Sequence, residues 1–372
     1  MSETVMLRTS ERNLFKQCQW KWAREYLDRL KPKQQDSVAL WFGTGIHLAL
    51  EHYYITGTKR GADPVETWNN YVAETSGNTT YINAEHGGDS SFAVEAKELG
   101  AAMLRSYLDL YGDEEWMDVI ATEFPFQVGV KYDERFPDRT ERNVGVYVGT
   151  MDLVYRDTRD GKVYVMDHKT AKQLGSGNTQ YLRLDDQAGA YYAVAATVLR
   201  EKGLIGPKET ISGIVYNYLV KAMPDTRPQN AEGYYTNKPK KDHYLQQLPE
   251  HGIEVDAKMT VKKLEALAEE AGITVYGDVS ATQPPKRFDR KVVLRNARQQ
   301  RRQIQRMSED LSAMSAVRNG VQPVTKAPSR NCTFCPFVDL CEIDEDGGDY
   351  SDMAEQLFTT WDPYEAHRKE EA

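Results

Sequence analysis

Apolar positions along the chain change their spacing several times, and each change marks a new kind of element. From Thr9, the stretch TSERNLFKQCQWKWAREYLDRL puts Leu14, Phe15, Cys18 and Trp22 on one stripe. That period predicts a helix capped by Thr9 or Ser10, with Glu11 in its first turn. A second helix is expected from about Thr44 in WFGTGIHLALEHYYITG, and a third over SSFAVEAKELGAAMLRSYLDLYG. From VIATEFPFQVGV to VGVYVGTMDLVYRDTRDGKVYVMDHKT the runs shorten and turn residues separate them, which predicts strands. Helical spacing returns in DDQAGAYYAVAATVLREKG, and ISGIVYNYLV reads as another strand.

The remainder is more polar. Residues 222–285 are proline-rich around one short amphipathic helix, TVKKLEALAEEAG, and read as an insertion. A basic helix is expected from Lys286 to about Val317, followed by NCTFCPFVDLC. The acidic tail is expected to be disordered. The predicted organisation is thus a segment 1–221, helical over 1–115 with an α/β core over 116–221. The insertion 222–285, a basic and cysteine-rich segment 286–341 and the tail 342–372 follow.

Composition narrows the class. With 372 residues, 40% hydrophobic and 28% charged, the chain can bury a substantial core. No apolar stretch approaches the roughly 20 residues of a membrane span, and MSETVMLRTSERN lacks the apolar centre of a secretory signal, so a cytoplasmic protein without membrane contact is expected. A net charge of −9 does not exclude nucleic acid, because binding follows local charge. The stretch KRFDRKVVLRNARQQRRQIQRM carries nine Lys or Arg against one Asp. Arg295, Arg298, Arg302 and Arg306 within it are candidate phosphate contacts, the kind that supply affinity without sequence preference.

The candidate chemistry lies in VYVMDHKTAK. Asp160-Gly161 is a strong two-residue hairpin signal, because both central residues of such a turn need positive φ. A turn there would pair Arg159 with Lys162 and set Asp152 opposite Lys169, with Asp167 facing Val154 and lying diagonal to Asp152 at roughly 7 Å. Two carboxylates and an ammonium would share one patch at the margin of an apolar face carrying Val163 and Val165. Burying two unpaired acids is unfavourable, so the patch calls for a cation. Carboxylate oxygens suit Mg²⁺ or Mn²⁺. His168 alternates to the other face and is expected to offer at most its backbone carbonyl.

These residues resemble a known family. GTMD, then 14 residues, then DHK resembles the PD-(D/E)XK nuclease superfamily, with Asp152 and Asp167 as its acids and Lys169 as its lysine. FGTGIH resembles the Gly-x3-His element of the RecB-like branch and points to His47. ATEFPF resembles that branch's first-strand glutamate, Glu123, and DDQAGAYY its Gln-x3-Tyr element, Gln187 and Tyr191. The resemblance implies a restriction-endonuclease-like α/β core with a mixed central sheet flanked by helices. It implies that His47, Asp152, Asp167, Glu123 and the His168 carbonyl hold Mg²⁺ or Mn²⁺, with Lys169, Gln187 and Tyr191 assisting catalysis.

Four cysteines in a cytosolic chain are inert thiols or metal ligands rather than disulfides. Cys332, Cys335 and Cys341 are spaced C-x2-C-x5-C and Cys18 is the fourth, a set able to hold zinc or an iron–sulfur cluster. The arrangement resembles iron–sulfur RecB-like nucleases, in which one N-terminal and three C-terminal cysteines enclose a [4Fe-4S] cluster. Gln19 stands where relatives commonly carry proline. A cluster here would clasp the two ends of the chain. The implied activity is metal-dependent, exonucleolytic hydrolysis of DNA, with recombination or replication proteins as candidate partners and the oligomeric state left open. With no GKS or GKT loop, the chain looks most like the helicase-free exonucleases of the CRISPR-associated and bacteriophage type. Two other readings stand beside it: a processing subunit active only inside a complex, such as one for spacer acquisition, and a non-catalytic zinc-bound adaptor.

Overall fold

The computed structural model describes residues 5–33, 38–76, 91–131, 144–175 and 179–368. The chain divides into two compact units, residues 1–221 with 288–372, and residues 222–287. In chain order the first unit runs β1 (Met6–Leu7), α1 (Thr9–Gln17), α2 (Gln19–Trp22), β2 (Leu30–Pro32), α3 (Val38–Tyr53), α4 (Pro64–Thr75), α5 (Ser91–Tyr111), β3 (Met117–Lys131), β4 (Val144–Asp157), β5 (Lys162–Ala171), α6 (Asp186–Glu201) and β6 (Ile211–Val220). The second unit holds α7 (Lys241–Glu250) and α8 (Val261–Glu270). The first unit then resumes with β7 (Phe288–Val293), α9 (Ala297–Arg318), α10 (Val338–Glu345), α11 (Ser351–Leu357), β8 (Phe358–Thr360) and α12 (Glu365–Arg368).

The central sheet is mixed. β3 lies antiparallel along β4, β4 along β5 and β6 along β7, whereas β5 and β6 are parallel and β1 adds parallel to β4 at Val146 and Tyr147. A parallel pair needs a crossover, and α6 supplies it. One apolar layer carries Val154, Val165, Ala188, Tyr191 and Met307 from the sheet, α6 and α9. The opposite layer carries Leu153, Met166, Ile46, Leu50, Trp68 and Met103 from the sheet, α3, α4 and α5. Gly45 is required where α3 meets α4, since a Cβ there would overlap the Tyr71 and Trp68 rings.

The β4–β5 register differs from the expected one by two residues. Asp157 faces Lys162, Val154 faces Val165 and Leu153 faces Met166. The connection is a four-residue turn because the Asp157 carboxylate holds both the Arg159 N–H and its guanidinium, while Gly161, at φ 70°, closes back on the Asp157 carbonyl at 2.7 Å. A shift of two leaves every side chain on its expected face, whereas a shift of one would have turned Asp167 away. Continued along the strands, the observed register sets Asp152 opposite Asp167 rather than opposite Lys169.

Other expectations are also revised. α1 has Arg8 at its N-cap and no side-chain cap, and Thr9 bonds to the Tyr147 hydroxyl at 2.6 Å. The first helix breaks at Cys18, whose φ of −162° is extended. α3 begins at Val38, ahead of the expected start near Thr44. The front of the expected basic helix is strand β7, which pairs with β6. The second unit has two helices, around Tyr244, Leu248, Leu264 and Val275, the first hidden in the sequence by Pro249 near its end. The acidic tail is folded over its described part: β8 pairs with β2, Phe358 stacks on Phe337, and Tyr364 is buried with a hydrogen bond to Glu11. Its last four residues lie outside the described residues.

Candidate active site

Asp167 is 1% exposed and Asp152, beside it on β4, has a side chain only 10% exposed. Asp152 Oδ2 accepts the His168 N–H at 2.8 Å. Burial, with the Asp167 charge adding, pushes the Asp152 carboxyl up to about 7. Asp167 Oδ1 accepts from Gln187 Nε2 at 2.8 Å. Its Oδ2 has the Lys169 ammonium at 2.7 Å, in an ion pair without hydrogen-bond alignment, and is otherwise an unsatisfied buried oxygen. Burial would depress Lys169, but the Asp167 charge outweighs it and holds the ammonium protonated. Gln187 also accepts from Lys169 at 3.1 Å and donates to the Tyr191 hydroxyl, which donates to the Thr150 carbonyl. Gln187 and Tyr191, one turn apart on α6, therefore brace Asp167 and Lys169 from the side of the sheet opposite α3.

His47 arrives from α3 across the end of the sheet. Its Nδ1 lies 3.4 Å from Asp152 Oδ2 and 3.9 Å from Glu123 Oε1, and these three residues form a candidate metal-ligating group. Glu123 sits at φ 39°, a left-handed conformation that costs a non-glycine residue about 1–3 kcal/mol and marks functional sites. The His168 carbonyl, the expected backbone ligand, faces His47 Nε2 at 2.8 Å. A carbonyl only accepts, so Nε2 donates to it and Nδ1 is left facing the carboxylates. Burial lowers the His47 pKa, but the Glu123 hydrogen bond and the Asp152 and Asp167 charges outweigh it and raise the pKa overall. A cleft of about 540 Å³ opens here, lined by His47, Glu51, Glu123, Lys169 and Thr170.

Residues 9–342 match the model of the PD-(D/E)XK nuclease superfamily. The chain belongs to that superfamily. Among solved structures it is similar to a protein from Eubacterium rectale provisionally named an exonuclease, at 11% identity, a TM-score of 0.41, and coverage of 88% of this chain and 86% of that one. No curated protein is a significant match. The chain is thus a hydrolytic nuclease by family, with a mixed α/β core and a candidate acidic metal site.

Behind the site of this PD-(D/E)XK nuclease lies a buried polar network that the sequence did not disclose. His168, 3% exposed, stacks on Tyr54 and accepts at Nδ1 from the Asn217 amide at 2.9 Å. Asn217 donates also to Tyr107, whose hydroxyl meets Tyr54 at 2.7 Å. Arg290 from β7 then joins Tyr107, Asn217 and Glu114. Burial keeps His168 neutral, its pKa well below the usual value. A Tyr-Asn-Tyr triplet on an otherwise apolar β6 was the available signal, since polar side chains on a buried strand need partners.

The arginines divide. Arg295 is corrected from a phosphate contact to a structural residue: 9% exposed, it donates to the carbonyls of Leu182 and Asp185. Arg306 turns inward to Gln303 and Asp186. Arg298 and Arg302 are exposed on α9, Arg302 beside Gln305 and Glu309.

The four cysteines gather at one end. Cys18, Cys335 and Cys341 pack with Trp20, Phe337, Leu340 and Phe358. Burial raises the Cys335 thiol, with Cys18 and Cys332 adding, and burial raises Cys341, with Cys18 and Cys335 adding. The thiols are thus electrostatic neighbours. Gln19, in the place of a proline, accepts from Thr325 N–H and hydroxyl and ties α2 to the segment leading into Cys332.

Proposed function

We propose that this protein is a divalent-metal-dependent DNA exonuclease. The reading rests on one observation, the candidate ligand group of His47, Glu123 and the buried Asp152, whose carboxyl also feels the charge of Asp167. Lys169 compensates Asp167, and the remaining carboxylates call for a further cation. Their donor set of carboxylate oxygens and one imidazole suits Mg²⁺ or Mn²⁺. Such an ion would supply Lewis acidity toward the phosphate and acidify a water.

The protein's own groups complete the reaction. Asp152, Asp167, Glu123 and His47 Nδ1 hold the ion, and the His168 carbonyl fixes the ring that presents Nδ1. Lys169, held protonated by Asp167, directs its ammonium at the charge that builds on the phosphate oxygens. Gln187 and Tyr191 keep Asp167 and Lys169 in place. The exposed Arg298 and Arg302 take backbone phosphates. The four cysteines, gathered by the fold, hold a [4Fe-4S] cluster, with zinc as the second reading. A cytoplasmic setting suits such a cluster and a DNA substrate.

Replacing Asp167→Ala should abolish Mg²⁺- or Mn²⁺-dependent release of nucleotides from end-labelled linear DNA while leaving the circular dichroism unchanged. Retained digestion would remove the assigned site.

A further inference from the structure

A second cavity, of about 200 Å³, lies on the Gln187 side of Lys169. It is lined by Lys169, Gln187, Asp185 and the rings of Tyr181, Tyr216 and Tyr218. The register of β5 with β6 explains the placement: Tyr216 pairs with Asp167 and Tyr218 with Lys169, so both rings stand on the face that carries the chemistry. The two rings lie 6.1 Å apart at 33°, and the Lys169 ammonium is 5.9 Å from the Tyr216 ring. Tyr181, in the turn before α6, is 53% exposed.

The lining selects a ligand. Lys169 is its one cation and is paired to Asp167, while the Asp185 carboxylate repels anions, so a phosphate is disfavoured. Asp185 Oδ1 accepts from Ala188 N–H and the Tyr216 hydroxyl, and Oδ2 has no hydrogen bond among the described residues. The exposed Tyr181 ring, with Tyr216 and Tyr218 in the lining at only 2% and 5% exposure and a carboxylate acceptor beside them, matches a nucleobase, which offers a ring for stacking and N–H groups at its edge. A base lodged there cannot remain paired. We propose that this pocket receives the unpaired base of the nucleotide adjoining the scissile phosphate, so that the substrate is a single-stranded or frayed end. The inference rests on the nuclease reading above.

The experiment uses full-length protein and end-labelled single-stranded oligonucleotides, intact or abasic at the two terminal nucleotides. Wild type should lose about tenfold in kcat/KM on the abasic strand, the scale of one base–aromatic stack. Tyr181→Ala should lose about tenfold on the intact strand and nothing further on the abasic one. Equal cleavage of both strands by wild type, or equal loss from Tyr181→Ala on both, would overturn the pocket. Binding is read separately: a 2-aminopurine-ended strand in EDTA should be quenched by wild type and by Asp167→Ala, and not by Tyr181→Ala. Absent cleavage in every arm with quenching intact would count against the nuclease reading alone. Absent quenching with cleavage intact would count against the pocket alone.

Discussion

Asn217 sits two links from the candidate metal site: its amide holds His168 Nδ1, and the His168 carbonyl holds His47 Nε2. Groups that orient metal ligands in this way typically change metal affinity by 10–100-fold when removed. Asn217→Ala should therefore raise the Mn²⁺ concentration for half-maximal activity about tenfold while leaving kcat at saturating metal nearly unchanged. A fall in Tm without that shift would reduce the network to core packing. At this scale sequence reached Asp152, Asp167, Lys169 and His47 because motif spacing and strand alternation both point to them. It missed Asn217, Glu114 and Arg290, whose partners come from four separate elements. It also misread Arg295, because a basic residue in a basic stretch looks solvated until a neighbour's carbonyls are placed against it.

Among the elements, α1, α6 and α9 meet at one ion network. Arg12, 0% exposed, pairs with Asp310 at 2.6 Å and Asp186 at 3.6 Å; Lys16 joins both acids, and Gln303 donates to Asp186 at 2.9 Å. Asp186 precedes Gln187, so the network also seats the start of α6 on which the site depends. Burial alone would raise the Asp186 carboxyl, but Arg12, Lys16 and Gln303 outweigh it and bring it down to about 2. A carboxyl depressed in the folded state contributes stability that is complete above its unfolded value near 4 and is lost as pH falls toward 2. The contribution is about 2 kcal/mol. Urea titrations between pH 5 and pH 2 should show wild type losing about that much more than Asp186→Asn across this window; parallel curves would contradict the assignment. Sequence patterning gave these helices their apolar faces, yet an element-level misreading followed wherever a partner decided the outcome, as with β7, which is a strand because β6 offers it an edge.

For the whole molecule, the two ends of the chain are held together by more than cysteines. β2 pairs with β8, Arg24 stacks over Trp20 and Tyr350, and Tyr364 reaches Glu11 in the interior. Loss of a cluster should consequently loosen this end without dissolving the central sheet. Cys335→Ala should lose the brown absorbance of anaerobically purified protein and lower its Tm. It should still show native circular dichroism at 25 °C. Colourless wild-type protein carrying stoichiometric zinc would sink the cluster assignment.

The sequence by itself determined which residues share a face and which are the candidates for the chemistry. Period-two alternation survives a turn of unexpected length, and Asp152, Asp167 and Lys169 stayed on one side although the hairpin moved by two residues. Only the tertiary structure decided which groups face one another across elements. The nearness of Asp152 to the Asp167 charge, the orientation of His47, the inward turn of Arg295 and the ordering of the acidic tail all depend on partners distant in the chain. Their energies come from burial and from hydrogen-bond geometry, which local patterning does not encode.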